Sequence, residues 1–421
     1  MKKTNSYFKN FMTLLSGNVF AQAIPFLFAP FLARIFNKEE VGIQGAFLAT
    51  AGIISIIAGG RYELAVILPK SDKKAKNLIV LALTLTVIIS FLSLSVNFFD
   101  KSIEAYLEVN DLSKYLPYIP IAILFTSLIG IITQWLVRKK LYRSISITKI
   151  VQSLAINIIT LSLGYLEYGT DGLIYGWIIG QIITFITLFY IFKKDFSLKH
   201  ISKAEIKNVA IEHKDFPMIN SIHAFADLFF STFIILAMVT KEYGLVSLGL
   251  FVMMNKYLKA PIRIIGAAVG QIYYKEANDK HQNNQSITGI LFHSVKLISY
   301  FAIPISLVIF FFGEEIFSLY LSDKWRLSGK YAEIMAIPIL FNFLVSPIST
   351  TVLIFNKQKV ALIISLIGYV ISAGCFYLGV YLNWGFEDTL KLFAFSMSLY
   401  YIYLLFWYIF LAKNNNTIKK K

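Results

Sequence analysis

"FMTLLSGNVFAQAIPFLFAPFLARIF", residues 11–36, meets no charged residue until Arg34. About 20 apolar residues suffice for a helix to cross roughly 30 Å of hydrocarbon. The basic start "MKKTNSYFKN" and the triplet Ala21-Gln22-Ala23 imitate a secretory leader with its cleavage site. The apolar run nevertheless continues through Pro25 and Phe31 to Phe36, longer than the h-region of a cleaved leader. The stretch therefore reads as an uncleaved first membrane span, and it sets the pattern for the rest of the chain.

Runs of the same kind recur to the C-terminus: 42–68, 77–98, 116–137, 148–166, 172–192, 216–239, 244–274, 290–312, 331–355, 359–383 and 389–412. With 57% hydrophobic and 15% charged residues over 421 positions, the chain has far less polar surface than a soluble protein of this length needs. The expectation is an all-α polytopic membrane protein with twelve transmembrane helices. A net charge of +16 would suggest nucleic acid in a soluble chain. Here the cations cluster in short loops, where they set topology and meet anionic headgroups, so no nucleic-acid partner is expected. Sorted by side, Lys and Arg favour the side carrying both termini by roughly three to one, which predicts cytoplasmic termini. Lys149, at the very start of the fifth span, is counted with the cations of that side. The single cysteine, Cys375, permits no intrachain disulfide, and no Cys/His cluster suggests a metal.

The longest hydrophilic connection, Lys193 to Lys214, falls midway. It suggests an N-terminal six-helix lobe (1–192), a basic cytoplasmic linker (193–215), a C-terminal six-helix lobe (216–412) and a basic tail (413–421). "KEEVG" before Gly42 echoes "KEYG" before Gly244, "FFDKSI" (98–103) echoes "FFGEEI" (311–316), and "IPIAILF" (119–125) echoes "IPILF" (337–341). Gly42 and Gly244 each read as opening a helix, and an equal step onward lands on Arg61 and on Arg263. Two parallel repeats of six spans imply pseudo-two-fold lobes around a central cavity that can open to either side.

Charge inside a membrane is costly and should face protein, water or a ligand. In "GLFVMMNKYLKAPIRIIGAAVGQ" (249–271), Lys256, Lys259 and Arg263 follow i, i+3, i+7 spacing, one face of a regular helix. Measured from Gly244 they sit roughly 18, 22 and 28 Å along the axis. Snorkelling to headgroups is the alternative use of such long side chains. The favoured reading is a cationic cavity wall awaiting an anion, with a diphosphate as the obvious membrane-borne candidate. Arg61 in "GGRYELAVILPK" (59–70) is its counterpart in the first half. Glu63 lies about 200° around a continuous helix from Arg61, so the two are expected to face different surfaces. Glu63 is read as a packing partner, with proton or substrate work as the alternative. Asn220, His223, Asp227 and Ser231 form a second stripe. Asp227 is either a counter-ion to the cations or a titratable coupling site, with His223 one turn away. Asn18, Gln22 and Pro25 form a milder stripe on the first span.

No phosphate-binding loop of the Walker type occurs, and no extramembrane stretch leaves room for a soluble catalytic domain. The motif "GRYELAVILPKSDKKAKNL" (60–78) resembles the signature of Wzx-type polysaccharide and O-antigen flippases, which belong to the multidrug/oligosaccharidyl-lipid/polysaccharide exporter (MOP) superfamily. The start "FMTLLSGNVFAQAIPFLFAPFLARIFNKEEVGIQGAF" and the region "FFGEEIFSLYLSDKW" are similar to the same family. The resemblance implies a MATE-like fold and no enzymatic activity. It also implies movement of an undecaprenyl-diphosphate-linked oligosaccharide from the cytoplasmic to the outer leaflet of a prokaryotic cytoplasmic membrane. Cavity arginines that hold diphosphate or acidic sugars in such flippases map onto Arg61 and Arg263, with Lys256 and Lys259 added. No cofactor is expected; an H+ or Na+ gradient would supply the drive, and a glycan polymerase and chain-length proteins are the expected partners. The alternatives are a drug or small-solute antiporter of the same fold, disfavoured by the basic cavity, and a membrane enzyme acting on polyprenyl-linked sugars, disfavoured by the lack of paired carboxylates.

Overall fold

The structure, a computed structural model, describes the backbone of residues 2–414 except 108, 110, 198, 200 and 356. It describes side chains from residue 17 onward, apart from those five and residues 100, 105–107, 263 and 267. Among the described residues every regular element is helical: α1 Lys2–Ile35, α2 Lys38–Ala58, α3 Tyr62–Ala65, α4 Asp72–Leu92, α5 Asp100–Leu107, α6 Ile119–Arg138, α7 Tyr142–Tyr165 and α8 Gly169–Asp195. These are followed by α9 Lys203–Glu212, α10 Ser221–Leu228, α11 Ile234–Leu258, α12 Ala267–Gln282, α13 Thr288–Tyr320, α14 Arg326–Val345, α15 Thr351–Ile354, α16 Gln358–Tyr381 and α17 Phe386–Asn414.

Eleven helical stretches among the described residues are long and apolar enough to cross a membrane. One of them, Phe216–Leu258, has 43 residues, about twice what a crossing needs. Gly244 divides it, because φ 81° and ψ 167° are open to glycine and to few other residues. The stretch therefore opens two crossings, the second continuing past Leu258 through Ile262–Gly266 into α12, which makes twelve among the described residues. Large apolar side chains such as Leu27, Phe91, Val370 and Tyr381 stand exposed along these helices, as lipid contact requires and water would not tolerate. The protein is a multi-pass, all-α membrane protein.

Local sequence explains the starts of three helices. Asn37 caps α2 through a reciprocal box: its Oδ1 accepts from the Glu40 amide at 2.9 Å, and the Glu40 carboxylate accepts from the Asn37 amide at 2.7 Å. This box places the start of α2 at Lys38, so Gly42 sits in its second turn and does not open the helix. Ser71 and Ser202 cap α4 and α9 in the simpler way. Pro25 and Pro30 lie inside α1, which continues through both.

Two compact units divide the chain, Met1–Gly249 and Leu250–Lys421. In the first, α7 packs between α1 and α8. A second cluster joins α3, α4, α6 and α9 around Trp135, Leu78, Ile79 and Leu136. In the second unit α13 packs on α14, and α14 and α16 pack on α17. Its core gathers Tyr273, Leu291, Ile348 and Leu404.

Candidate functional site

Span two does not run unbroken to residue 68. Helix α2 stops at Ala58, and Gly60 and Arg61 follow with φ of 59° and 56°. Two successive left-handed residues turn the backbone before the single turn α3. Arg61 holds this conformation without being glycine, which costs about 1 kcal/mol or more and is a kind of strain that gathers at functional positions. The turn also corrects the expectation that Arg61 and Glu63 face apart, which assumed a continuous helix. Arg61 Nη1 lies 4.0 Å from Glu63 Oε1. Gly59 makes room for the carboxylate, since a Cβ there would stand 2.8 Å from Glu63 Oε2. Arg61 Nε and Glu63 Oε2 are both buried and have no hydrogen-bond partner. Burial pushes the Glu63 carboxyl above its ordinary range, partly offset by a hydrogen bond from its own backbone and by the Arg61 charge.

Arg138, at the end of α6, ties down the remainder of the motif. Its Nη1 donates to the carbonyls of Val66 at 3.0 Å and Pro69 at 2.7 Å, and its Nε donates to Asp72 Oδ1 at 3.0 Å. Lys139 also reaches Asp72, at 2.6 Å. The Lys139 hydrogen bond, with Arg138 beside it, holds the Asp72 carboxyl below its usual range. Tyr62 donates to the Ala210 carbonyl of α9 at 3.1 Å, and Lys73 and Lys74 pair with Glu205 and Glu212 at 2.7 Å each. The loop cations thus do structural work beyond setting topology, which their sequence clustering did not reveal.

In the second unit, Lys256 and Lys259 are both exposed and sit one turn apart, as their spacing predicts. Lys256 Nζ stands 5.5 Å from the Tyr257 ring centroid. The regular helix ends at Leu258, ahead of Pro261, whose missing N–H breaks the ladder. Residues Ile262–Gly266 then form a π-turn. Because a π-turn holds more residues per turn, the i, i+7 register from Lys256 to Arg263 does not apply, and the shared face is limited to Lys256 and Lys259. The Arg263 side chain lies outside the described residues. Asn220, His223, Asp227 and Ser231 are all exposed. Two further π-turns, Phe216–Asn220 and Phe229–Phe233, bracket α10 and place only His223 and Asp227 on regular helix.

Two features escaped the sequence reading. Lys149, counted with the cytoplasmic-side cations, lies two turns into α7 and is half-buried, because the helix begins at Tyr142 and not at residue 148. Its Nζ donates to Asn18 Oδ1 of α1 at 2.7 Å. On the opposite face of the membrane, Lys114 and Tyr115 both bond Asp171, at 2.8 and 2.7 Å. Lys330 pairs with Glu387 at 2.8 Å, beside Tyr331. "LSKY" (112–115) and "LSGKY" (327–331) carry the two pairs, and each acid opens the last span of its half. The lysine, the tyrosine and the acid are displaced by one constant step, a more specific internal repeat than the apolar echoes. Among the described residues no group of three or more His, Cys, Asp or Glu could hold a metal.

Residues 31–330 match the family described as "Polysaccharide biosynthesis protein". No curated protein matches the chain. Among solved structures it is similar to a multidrug resistance MATE family transporter of the MOP superfamily in an inward-facing conformation. That likeness has a TM-score of 0.73 at 14% identity, over 95% of this chain and 96% of the other. It is similar also to the lipid II flippase MurJ in an inward closed conformation, with a TM-score of 0.69 at 15% identity, over 96% and 86% of the two chains. A MOP superfamily transporter from Pyrococcus furiosus gives a TM-score of 0.58 at 13% identity, over 98% and 96%. At these identities the likeness establishes the fold, which is the MATE-like fold of the MOP superfamily.

Proposed function

The chain belongs to the polysaccharide biosynthesis protein family, and from that premise we propose that it flips a polyprenyl-diphosphate-linked oligosaccharide from the cytoplasmic to the outer leaflet of a prokaryotic cytoplasmic membrane. A diphosphate cannot cross hydrocarbon unaided at any useful rate, because moving its charge out of water costs many kcal/mol. A transporter must therefore offer cations along a hydrated path while the polyprenyl tail stays in lipid. Arg61, Lys256, Lys259 and Arg263 are the residues assigned to that role. The observation that carries the reading is Arg61: a buried guanidinium nitrogen without a partner, on a strained backbone, inside the family-like motif.

Asp227 and His223 stand exposed at span depth and are assigned to coupling with an H+ or Na+ gradient; Glu63 serves as the counter-charge that holds Arg61 when no diphosphate is bound. A glycan polymerase and chain-length proteins are the partners this role calls for, and both termini are placed in the cytoplasm. The test is export of surface glycan in cells whose own flippase is deleted. Wild-type protein should restore it, whereas Arg61→Ala and Lys256→Ala should not, at equal membrane abundance. Restoration by both variants would overturn the cationic path. Efflux of organic cations without glycan export would favour the antiporter.

A further inference from the structure

Lys149 is a cation that its own bundle cannot neutralise. It lies seven residues into α7, about 10 Å along the helix from its start. Its one hydrogen bond goes to the Asn18 amide oxygen at 2.7 Å, which satisfies a donor and leaves the charge uncompensated. Among the described residues, α7 and the helices that pack on it, α1, α6 and α8, offer it no spare acid. Neither α1 nor α7 contains Asp or Glu, and α8 has only Asp171 and Asp195, one at each end. Asp171 is occupied by Lys114 and Tyr115, and Asp195 accepts from Trp135 and pairs with Lys139. One turn beyond Lys149, Gln152 donates to Gln181 Oε1 of α8 at 2.9 Å, and Gln181 is buried. Gly17 of α1 lets Ser146 of α7 approach so closely that a Cβ would overlap it, which fixes the two helices at the level of Asn18 and Lys149.

We propose that Lys149, with Asn18, Gln152 and Gln181, forms a second oxyanion subsite, within the first unit, for the polar head of the lipid-linked substrate. The ammonium takes the anionic group and the three amides take hydroxyls beside it. The inference rests on the flippase reading above and adds a subsite that the motif-based cations do not include. The same oxyanion chemistry has two sources, the diphosphate of the substrate and the phosphate of an anionic phospholipid.

The test measures binding of undecaprenyl diphosphate to the full-length protein in nanodiscs, once in phosphatidylcholine and once in phosphatidylglycerol. In phosphatidylcholine, Lys149→Ala should weaken binding about tenfold, roughly the value of one charge-assisted contact. Lys149→Arg should stay within about threefold of wild type, since it keeps the charge. Should Lys149→Ala prove unstable, Lys149→Gln, which keeps most of the side-chain volume and an amide donor toward Asn18, should show the same loss. Wild-type affinity in Lys149→Gln would overturn the subsite and leave the flippase reading standing. No binding by wild type would overturn both. Binding lost in Lys149→Gln only when phosphatidylglycerol is present would assign the lysine to bilayer headgroups and overturn the subsite.

Discussion

Arg138→Ala should loosen the whole of 59–72 while leaving the spans assembled. The guanidinium is 10% exposed and donates to two backbone carbonyls, those of Val66 and Pro69, as well as to Asp72. Each hydrogen bond from a charged donor contributes roughly 1.5 kcal/mol, so the two carbonyls account for about 3 kcal/mol. The Asp72 pair adds under about 1 kcal/mol, because Asp72 is half exposed and Lys139 remains to hold it. The expected total is about 3–4 kcal/mol, concentrated locally. Arg138→Lys should recover about half, since one ammonium cannot span both carbonyls and the carboxylate in a fork. Hydrogen–deuterium exchange in detergent or nanodiscs reads the effect directly. Amides of 62–72 should exchange several hundredfold faster in Arg138→Ala, while α7 and α8 stay unchanged. Unaltered exchange across 62–72 would refute the claim that Arg138 holds the motif.

Gly249→Ala should abolish folding or cost at least 2–3 kcal/mol, since its Cβ would overlap the Lys38 carbonyl oxygen, and backbone cannot step aside. Gly52→Ala on α2 is the control: nothing stands within 4 Å of its Cβ, so thermal unfolding should show it neutral or stabilised by up to about 1 kcal/mol. Arg61→Gly should be about 1 kcal/mol more stable than Arg61→Ala, because glycine relieves the φ of 56° and alanine does not; equal melting temperatures would argue against strain there. The raised pKa of Glu63 means that its contribution is fully present below the ordinary value of 4.5 and is lost as pH rises through the native value. Glu63→Gln should therefore flatten the fall in stability between mildly acidic and neutral pH, and a melting profile parallel to wild type over that range would sink the assignment. Asp171→Asn should weaken the Lys114 and Tyr115 contacts by about 1 kcal/mol, and salt should mask the lysine part only.

Hydropathy made the spans legible because lipid demands the same thing of every crossing: about 20 apolar residues and an internally satisfied backbone. It could not place the break after Ala58. "ELAVILP" stays apolar beyond the turn, and the instruction to stop is carried by Gly59, Gly60 and a left-handed Arg61. The same blindness set the start of span five at residue 148, six residues late, and left Lys149 counted with the loop cations. Residues 142–147 are too polar to look like a span, but their helix forms on tertiary contacts, with Ser146 seated against Gly17. The π-turns are only half legible. Pro217 lies within one and Pro261 immediately precedes another, whereas "FFSTF" carries no such mark.

These misses share a cause that bears on function. An apolar pattern reports what faces lipid, and it is silent about polar residues that helices turn toward each other. Arg61, Glu63 and Lys149 all lie where the pattern fades or breaks, and each has charge or polar atoms that the chain leaves incompletely matched. Leaving such groups unmatched is expensive in a bundle whose only purpose is to stand in a membrane. A chain that carries an anion through lipid needs cations with hydrogen-bonding capacity to spare, which Arg61 keeps in its unpartnered Nε even with Glu63 beside it. In the second unit Lys256 and Lys259 also sit beside a helix break. In both units, then, cations of the proposed path, Arg61 in the first and Lys259 in the second, sit beside interruptions of the helix, where the backbone can change direction without a span being rebuilt.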